Sequence, residues 1–263
     1  MALVNSTAKA FKAMHTPKSP IVLTNIWDVS SLNAVLALNQ GDNKPVKAIA
    51  TASWAIAAAA GCKDEELTFE QNIAAIKQVA PLCREADLPL TADLQDGYGP
   101  RIQEVVATAI RLVFRAPISK IASPLQVTGK AVISAASEAG CPEFVLNVRC
   151  DVFCLDDPNL DDETRMKEAI ARGKAFLELG ATTVFYWGGP KGGLSKAHLQ
   201  TLVKELDGRV SVQLRAYAGS PTVSELADIG VARISIGPTL HFVAMGAVQK
   251  AASSILEEGK MPM

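Results

Sequence analysis

Pro89-Leu-Thr-Ala-Asp93-Leu-Gln95-Asp96-Gly97-Tyr98-Gly99 reads as a short buried strand that ends on an acid and opens into a glycine-rich turn. A carboxylate at that point is held by rigid backbone, and the glycines let a ligand come close. Acids at strand ends serve α/β sites because an oxygen-ligated cation such as Mg²⁺ needs them. Taken alone, Asp93 also reads as the cap of the helix that follows. The segments on either side decide between these readings.

Short, nearly continuous Val/Ile/Leu-rich runs recur at Pro20–Asn25, Val46–Thr51, Leu88–Asp93, Glu143–Arg149, Thr182–Trp187, Val210–Arg215 and Val231–Gly237. That is the pattern of strands buried on both faces. Ala116–Ala122 supplies an eighth. Helical periodicity fills the gaps at Ser30–Leu38, Thr68–Glu85, Arg101–Phe114, Gly129–Ala139, Asp162–Leu179, Ser195–Leu206, Thr222–Ile229 and Pro238–Glu257. Thr68 with Gln71, and Thr222 with Glu225, have capping-box spacing, and Ser195 is a third start signal. Gly140, Gly180 and Gly230 each stop a helix just before a strand. Strict alternation over 263 residues, without a linker, favours one (β/α)₈ TIM-type barrel domain spanning 1–263. The competing fold is a doubly wound open sheet. No GxGxxG or GxxxxGK[ST] follows a strand, which counts against its nucleotide-binding versions.

Composition removes several function classes. Net charge is −1, so nothing points to nucleic acid or an acidic membrane surface. The first twenty residues lack the apolar run of a signal peptide. No segment reaches the ~18 uninterrupted apolar residues of a membrane span. Cys62, Cys83, Cys141, Cys150 and Cys154 form no CxxC pair and no zinc-finger spacing. They read as reduced, mostly buried thiols of a cytoplasmic protein.

In a barrel, residues at the C-terminal strand ends face one mouth. These are Asn25 and Asp28; Thr51, Ser53 and Trp54; Asp93, Gln95 and Asp96; Asn147, Arg149 and Asp151; Tyr186 to Gly189; Arg215; and Ser235 and Gly237. Carboxylates, hydroxyls and two arginines on one rim suit a small anionic substrate with a bound cation. Equally, Arg149 and Arg215 could simply pair with rim acids.

The order LTNIWDVSSLNAV, AIATASWAIAAAAG, LPLTADLQDGYG, FVLNVRCDVF, ARGKAFLELGATTVFYWGG and SELADIGVARISIGPTL resembles the phosphoenolpyruvate mutase/isocitrate lyase superfamily, from about Ile21 to Leu256. It is closest to the broad isocitrate lyase/phosphoenolpyruvate mutase-like branch. The resemblance implies a (β/α)₈ barrel with its last helix swapped between subunits, in a homodimer or homotetramer. It implies a Mg²⁺-dependent lyase or hydrolase that makes or breaks a C–C or P–C bond of a small keto or hydroxy acid, oxaloacetate-like or a substituted malate. The chemistry would run beside an enolate, stabilised by Mg²⁺ and preorganised donors. By position, Asp93 matches the family's metal acid, and Gln95 stands where a second acid is frequent. Gln95 could still hydrogen-bond a metal-bound water. Arg149 matches the substrate-gripping arginine, and Asn147 and Arg215 at other strand-end positions are taken as substrate-binding with it. Ala52-Ser53-Trp54-Ala55 matches the turn whose serine and backbone N–H groups hold the substrate carboxylate.

One stretch departs from that pattern. After Phe114 the family shows a strand ending in Glu-Asp and then a mobile gating loop. Here VFRAPISKIASPLQVTGK contains no acid, and none occurs between Glu104 and Glu138. The isocitrate lyase Lys-Cys-Gly-His loop is absent as well. This keeps an alternative open: a relative with impaired or altered function that kept the barrel and lost part of the metal site. His15, His198 and His241 lie off the strand ends and read as packing or surface residues. Trp187 to Gly193 is rich in glycine and reads as a lid or as a plain connection.

Overall fold

The computed structural model of the protein describes residues 2–112, 118–122, 126–157, 159–189, 194–217 and 219–261. Eight parallel strands close a barrel in sequential order. They are β1 (Ile21–Ile26), β2 (Ile49–Thr51), β3 (Leu90–Asp93), β4 (Ile118–Ala122), β5 (Val145–Cys150), β6 (Thr183–Tyr186), β7 (Val210–Gln213) and β8 (Arg233–Ser235). Closure is made by β1 against β8, with Ile21 opposite Arg233 and Leu23 opposite Ser235.

Ten helices surround and cap it among the described residues: α1 (Ala2–Ala13), α2 (Val29–Leu36), α3 (Ser53–Ala59), α4 (Phe69–Glu85), α5 (Ile102–Leu112), α6 (Gln126–Glu138), α7 (Asp162–Glu178), α8 (Lys196–Glu205), α9 (Val223–Ile229) and α10 (Thr239–Glu258). The capping signals act as expected. The Thr68 and Thr222 hydroxyls accept the backbone N–H of Gln71 and Glu225 in reciprocal capping boxes. The Ser195 hydroxyl accepts that of His198. Asp161 caps α7 through the Thr164 N–H. Gly140, Gly180 and Gly230 take positive φ at the stops, where a Cβ would be strained.

Two helices have no counterpart in the periodicity. α1 closes one end of the barrel. Its Phe11 is fully buried in a cluster with Ile21, Leu23, Ala48, Ala50 and Val145. Lys12 bonds Glu143 at 3.1 Å, and the Glu143 N–H donates to Asn5 at 2.9 Å, which ties the helix to the approach to β5. α3 is alanine-rich and short, and begins at Ser53 directly after β2. α10 differs from the rest. His241 is its only buried residue, and Phe242, Val243, Met245, Val248, Ile255 and Leu256 are exposed.

All five cysteines are free. Burial pushes the Cys83 thiol up to about 12 and those of Cys141, Cys150 and Cys154 up to about 11. No helix among the described residues is long and apolar enough to cross a membrane.

Candidate active site

β3 delivers Asp93 into the barrel mouth, where it is 7% exposed. Three groups fix it. Its N–H donates to the Thr51 hydroxyl on β2 at 2.8 Å. Its carbonyl accepts from the Asn72 amide of α4 at 2.9 Å. One carboxylate oxygen accepts the Gln95 N–H at 3.1 Å. The turn that follows is sharp. Gln95, Gly97, Tyr98 and Gly99 all have positive φ, two of them without the freedom of glycine. The Asp96 carboxylate holds it by accepting the Tyr98 N–H at 2.8 Å. The Tyr98 hydroxyl turns inward to accept from Asn72 at 2.9 Å, and burial raises its pKa.

Asp93 opens on a cavity of about 520 Å³. Asn25, Ser53, Trp54, Asn147, Arg149 and Arg215 line the same cavity, while Asp28, Asp96 and Asp151, also named at strand ends, do not. Four of them, Asn25, Asn147, Arg149 and Arg215, have a definite polar anchor. Asn25 accepts the N–H groups of Ile236 and Gly237 at 3.0 and 3.1 Å and donates to the Thr51 carbonyl at 2.8 Å, joining the ends of β1, β2 and β8. Gly237 suits the turn there: its φ is +55°, and a Cβ would lie 2.6 Å from the Gln213 amide nitrogen, which would have to move. Asn147 accepts from the buried Thr183 hydroxyl at 2.8 Å. That spends its oxygen and leaves its NH₂ as the end able to donate. Arg149 pairs with Asp151 at 2.5 Å and lies 4.8 Å over the Trp187 ring. Arg215 donates to the Gly189 carbonyl at 2.7 Å and lies 5.4 Å over the Tyr217 ring. Each arginine is therefore held at the mouth by protein partners.

Two candidates fall elsewhere. Gln95 does not line the cavity. Its amide donates to the backbone carbonyl of Asp64 and to the Asp64 carboxylate at 3.1 Å, so it anchors the segment after α3. Ala55 is fully buried, and its N–H donates to the Ala52 carbonyl at 3.1 Å. The His198 ring bonds Asp162 at 2.8 Å and stacks on Phe153. His241 packs edge-on against Trp27 and Trp54. Pro190 to Gly193, part of the glycine stretch read as a lid or connection, lies outside the described residues.

The structure adds Asp64, Gln213 and Arg233 to the cavity wall. Asp64 was hidden in the exposed-looking run Lys63-Asp-Glu-Glu. Arg233 did leave a signal: a cation at an inward position of an otherwise apolar strand. Among the described residues, no three His, Cys, Asp or Glu side chains cluster into a metal cage. Asp93 and Asp64 line the same cavity, however. That donor set fits Mg²⁺, which is commonly held by one or two carboxylates with waters and substrate oxygens.

A parallel barrel with anchored carboxylates, amides and arginines at the C-terminal ends of its strands has the architecture of an enzyme for small anions. The chain belongs to the phosphoenolpyruvate phosphomutase family, whose model matches residues 11–122 and 124–256. It is 25% identical to an uncharacterized protein of Mycobacterium tuberculosis, over 96% of this chain and 91% of that protein. Among solved structures it resembles a protein of Burkholderia cenocepacia J2315 provisionally named a phosphonomutase. That match has 29% identity and a TM-score of 0.80, covering 97% of this chain and 99% of the other. Oxaloacetate acetylhydrolase in complex with its product oxalate aligns at 19% identity and a TM-score of 0.78, over 98% of this chain and 90% of its own. Phosphonopyruvate hydrolase with oxalate and Mg²⁺ aligns at 19% and 0.76, over 96% and 88%. At those identities the likeness to the last two is one of fold.

Proposed function

We propose that the protein is a Mg²⁺-dependent lyase or hydrolase that breaks a C–C or P–C bond of a small keto or hydroxy acid, oxaloacetate-like or a substituted malate. The observation that carries this reading is the anchored Asp93 carboxylate in one cavity with Arg149 and Arg215. Asp93, with Asp64 lining the same cavity, would hold the cation. Bound there, Mg²⁺ would supply Lewis-acid stabilisation of negative charge on the substrate oxygens. The chain's own groups do the rest. Arg149 and Arg215 grip acid groups of the substrate by charge-assisted hydrogen bonds. The Asn147 amide N–H and the Ser53 hydroxyl are donors for oxygen on which charge develops as the bond electrons move into an enolate. Trp54, Trp187 and Phe185 add apolar surface to the same cavity and limit water around the reacting bond.

The test is calorimetric titration of Mg²⁺ with and without oxalate, an enolate mimic, followed by assay against oxaloacetate, substituted malates and phosphonopyruvate. Mg²⁺-dependent turnover of one of these, abolished by Asp93→Ala, is the expected result. Absence of both Mg²⁺ and oxalate binding in the wild type would replace it with the second reading, an altered-function member. That reading draws on the absence of a three-acid cluster among the described residues and on the acid-free stretch after Phe114.

Association belongs to the same proposal. The exposed Phe242, Val243, Val248, Ile255 and Leu256 of α10 form a surface that a lone chain leaves wet. A second subunit covers it, with α10 exchanged, in a homodimer or homotetramer. Sedimentation at micromolar concentration should show no monomer. The proposed location is the cytoplasm, as the cysteine usage suggests.

A further inference from the structure

The inside of a (β/α)₈ barrel is ordinarily filled with bulky branched side chains. Here the interior contains a charge. Arg233 opens β8, is 3% exposed, and lines the cavity with Asp93. Its hydrogen-bonding partners are neutral. One terminal N–H donates to the Thr91 hydroxyl at 3.3 Å, and the other faces His15 Nε2 at 3.4 Å. Its buried Nε has no partner among the described residues. His15 is fixed for this role. Its Nδ1 lies 2.9 Å from the Phe11 carbonyl, so that nitrogen carries the proton and Nε2 presents a lone pair to the guanidinium.

A buried guanidinium with long neutral contacts is costly unless a negative charge compensates it. Thr91 precedes Asp93 by two residues, on the same face of β3 and about 6.6 Å away along the strand. The contact with Thr91 therefore places the cation one layer beneath Asp93. Burial lowers the pKa of Arg233 to about 9, and the charge of Asp93 works in the opposite direction.

We propose that Arg233 is the resident counter-cation of Asp93, so that a divalent cation binds this site together with an anionic ligand and only weakly before it. This rests on the reading of Asp93 as the metal acid. The charges of the cavity wall argue for it. Arg149, Arg215 and Arg233 stand against Asp64 and Asp93 on the wall, with Asp151 paired to Arg149, so an incoming Mg²⁺ meets no net negative charge there. A dicarboxylate makes the local charge negative, and the two ligands then favour each other. Arg233 is thus a positioning residue: it sets the order of binding without touching the reacting bond.

The experiment is calorimetry on the full chain, titrating Mg²⁺ alone and Mg²⁺ at saturating oxalate, for wild type, Arg233→Lys and Arg233→Met. In wild type and Arg233→Lys, oxalate should tighten Mg²⁺ binding by roughly tenfold or more. Arg233→Met, which fills the space without charge, should bind Mg²⁺ alone roughly tenfold tighter than wild type and lose most of the oxalate coupling. Equal wild-type affinity for Mg²⁺ with and without oxalate would overturn the counter-cation while leaving the metal reading of Asp93 standing. So would an Arg233→Met that behaves like wild type, or an Arg233→Lys that behaves like Arg233→Met. No Mg²⁺ binding to wild type under either condition would overturn both. If Arg233→Met fails to fold, the wild-type coupling and Arg233→Lys still decide.

Discussion

Thr51→Val isolates how the acid is held. Thr51 is 2% exposed at the end of β2, and its hydroxyl accepts the Asp93 N–H at 2.8 Å. The β2–β3 pairing reaches only Ala50 opposite Thr91, so at Asp93 a side chain takes over from the ladder. Valine keeps the branched shape and removes the acceptor, leaving a buried amide unpaired. That costs ~1–3 kcal/mol. With ~2.1 cal/mol/K per residue of unfolding entropy over 263 residues, the midpoint should fall by roughly 2–5 °C. The same change releases the backbone that aims the carboxylate, so Mg²⁺ affinity measured with oxalate should weaken by about tenfold, or ~1.4 kcal/mol. Thermal unfolding and calorimetry on one preparation separate the two effects. A variant that melts with the wild type and binds Mg²⁺ unchanged would refute the claim that Thr51 positions Asp93.

Arg149→Ala should raise KM by about 10-fold to 100-fold with a smaller effect on kcat, since it removes a charge-assisted grip of ~1.5–3 kcal/mol present before and during reaction; a pure kcat loss in steady-state kinetics would contradict this. Lys120 is the β4 residue in register with Asp93, so Lys120→Glu should return an acid to that strand and tighten Mg²⁺ by ~1–3 kcal/mol in calorimetry; no gain would mean that the missing acid is not the defect. His15 has its pKa lowered from 6.5 to about 3, first by burial and then by Arg233. The unfolded chain therefore binds the extra proton between those values. Stability should fall as pH drops below about 6.5, by at most ~1.4 kcal/mol per unit for this one group, and be fully present above it. Urea unfolding of His15→Gln should show a flatter slope over that window.

The barrel was legible because strand and helix signals are local. Val184, Val210 and Ile234 announce buried strands through their neighbours, and Thr68, Ser195 and Thr222 carry their own caps. α3 was missed because seven residues of SWAIAAA have too little polar surface to show a 3.6-residue period. α1 was missed because only Ala8 and Phe11 of its described side chains are fully buried, and the partners of Phe11 lie far along the chain, on and beside β1, β2 and β5.

The site divides along the same line. Asp93, Arg149 and Asn147 are strand-end residues, and counting along a strand is enough to aim them at the mouth. Gln95 follows the strand by only two residues, yet its positive φ swings the amide away to Asp64. Asp64 is brought to the cavity wall, and its place there is set by that contact, which no local pattern encodes. Arg233 shows how far a single residue type can be pushed. In sequence it is a charge in the middle of Val231-Ala-Arg-Ile-Ser235, and an ordinary reading would turn it out to solvent. The strand is too short and too apolar on its other face for that, since Ala232 and Ile234 pack outward into the helices. The period of two then leaves only the barrel interior for the guanidinium, and an interior cation demands a negative partner. Asp93 is the acid whose charge acts on Arg233. The residue that opens the argument about metal binding is therefore also the one that makes Arg233 tolerable, and the two should be tested as a pair.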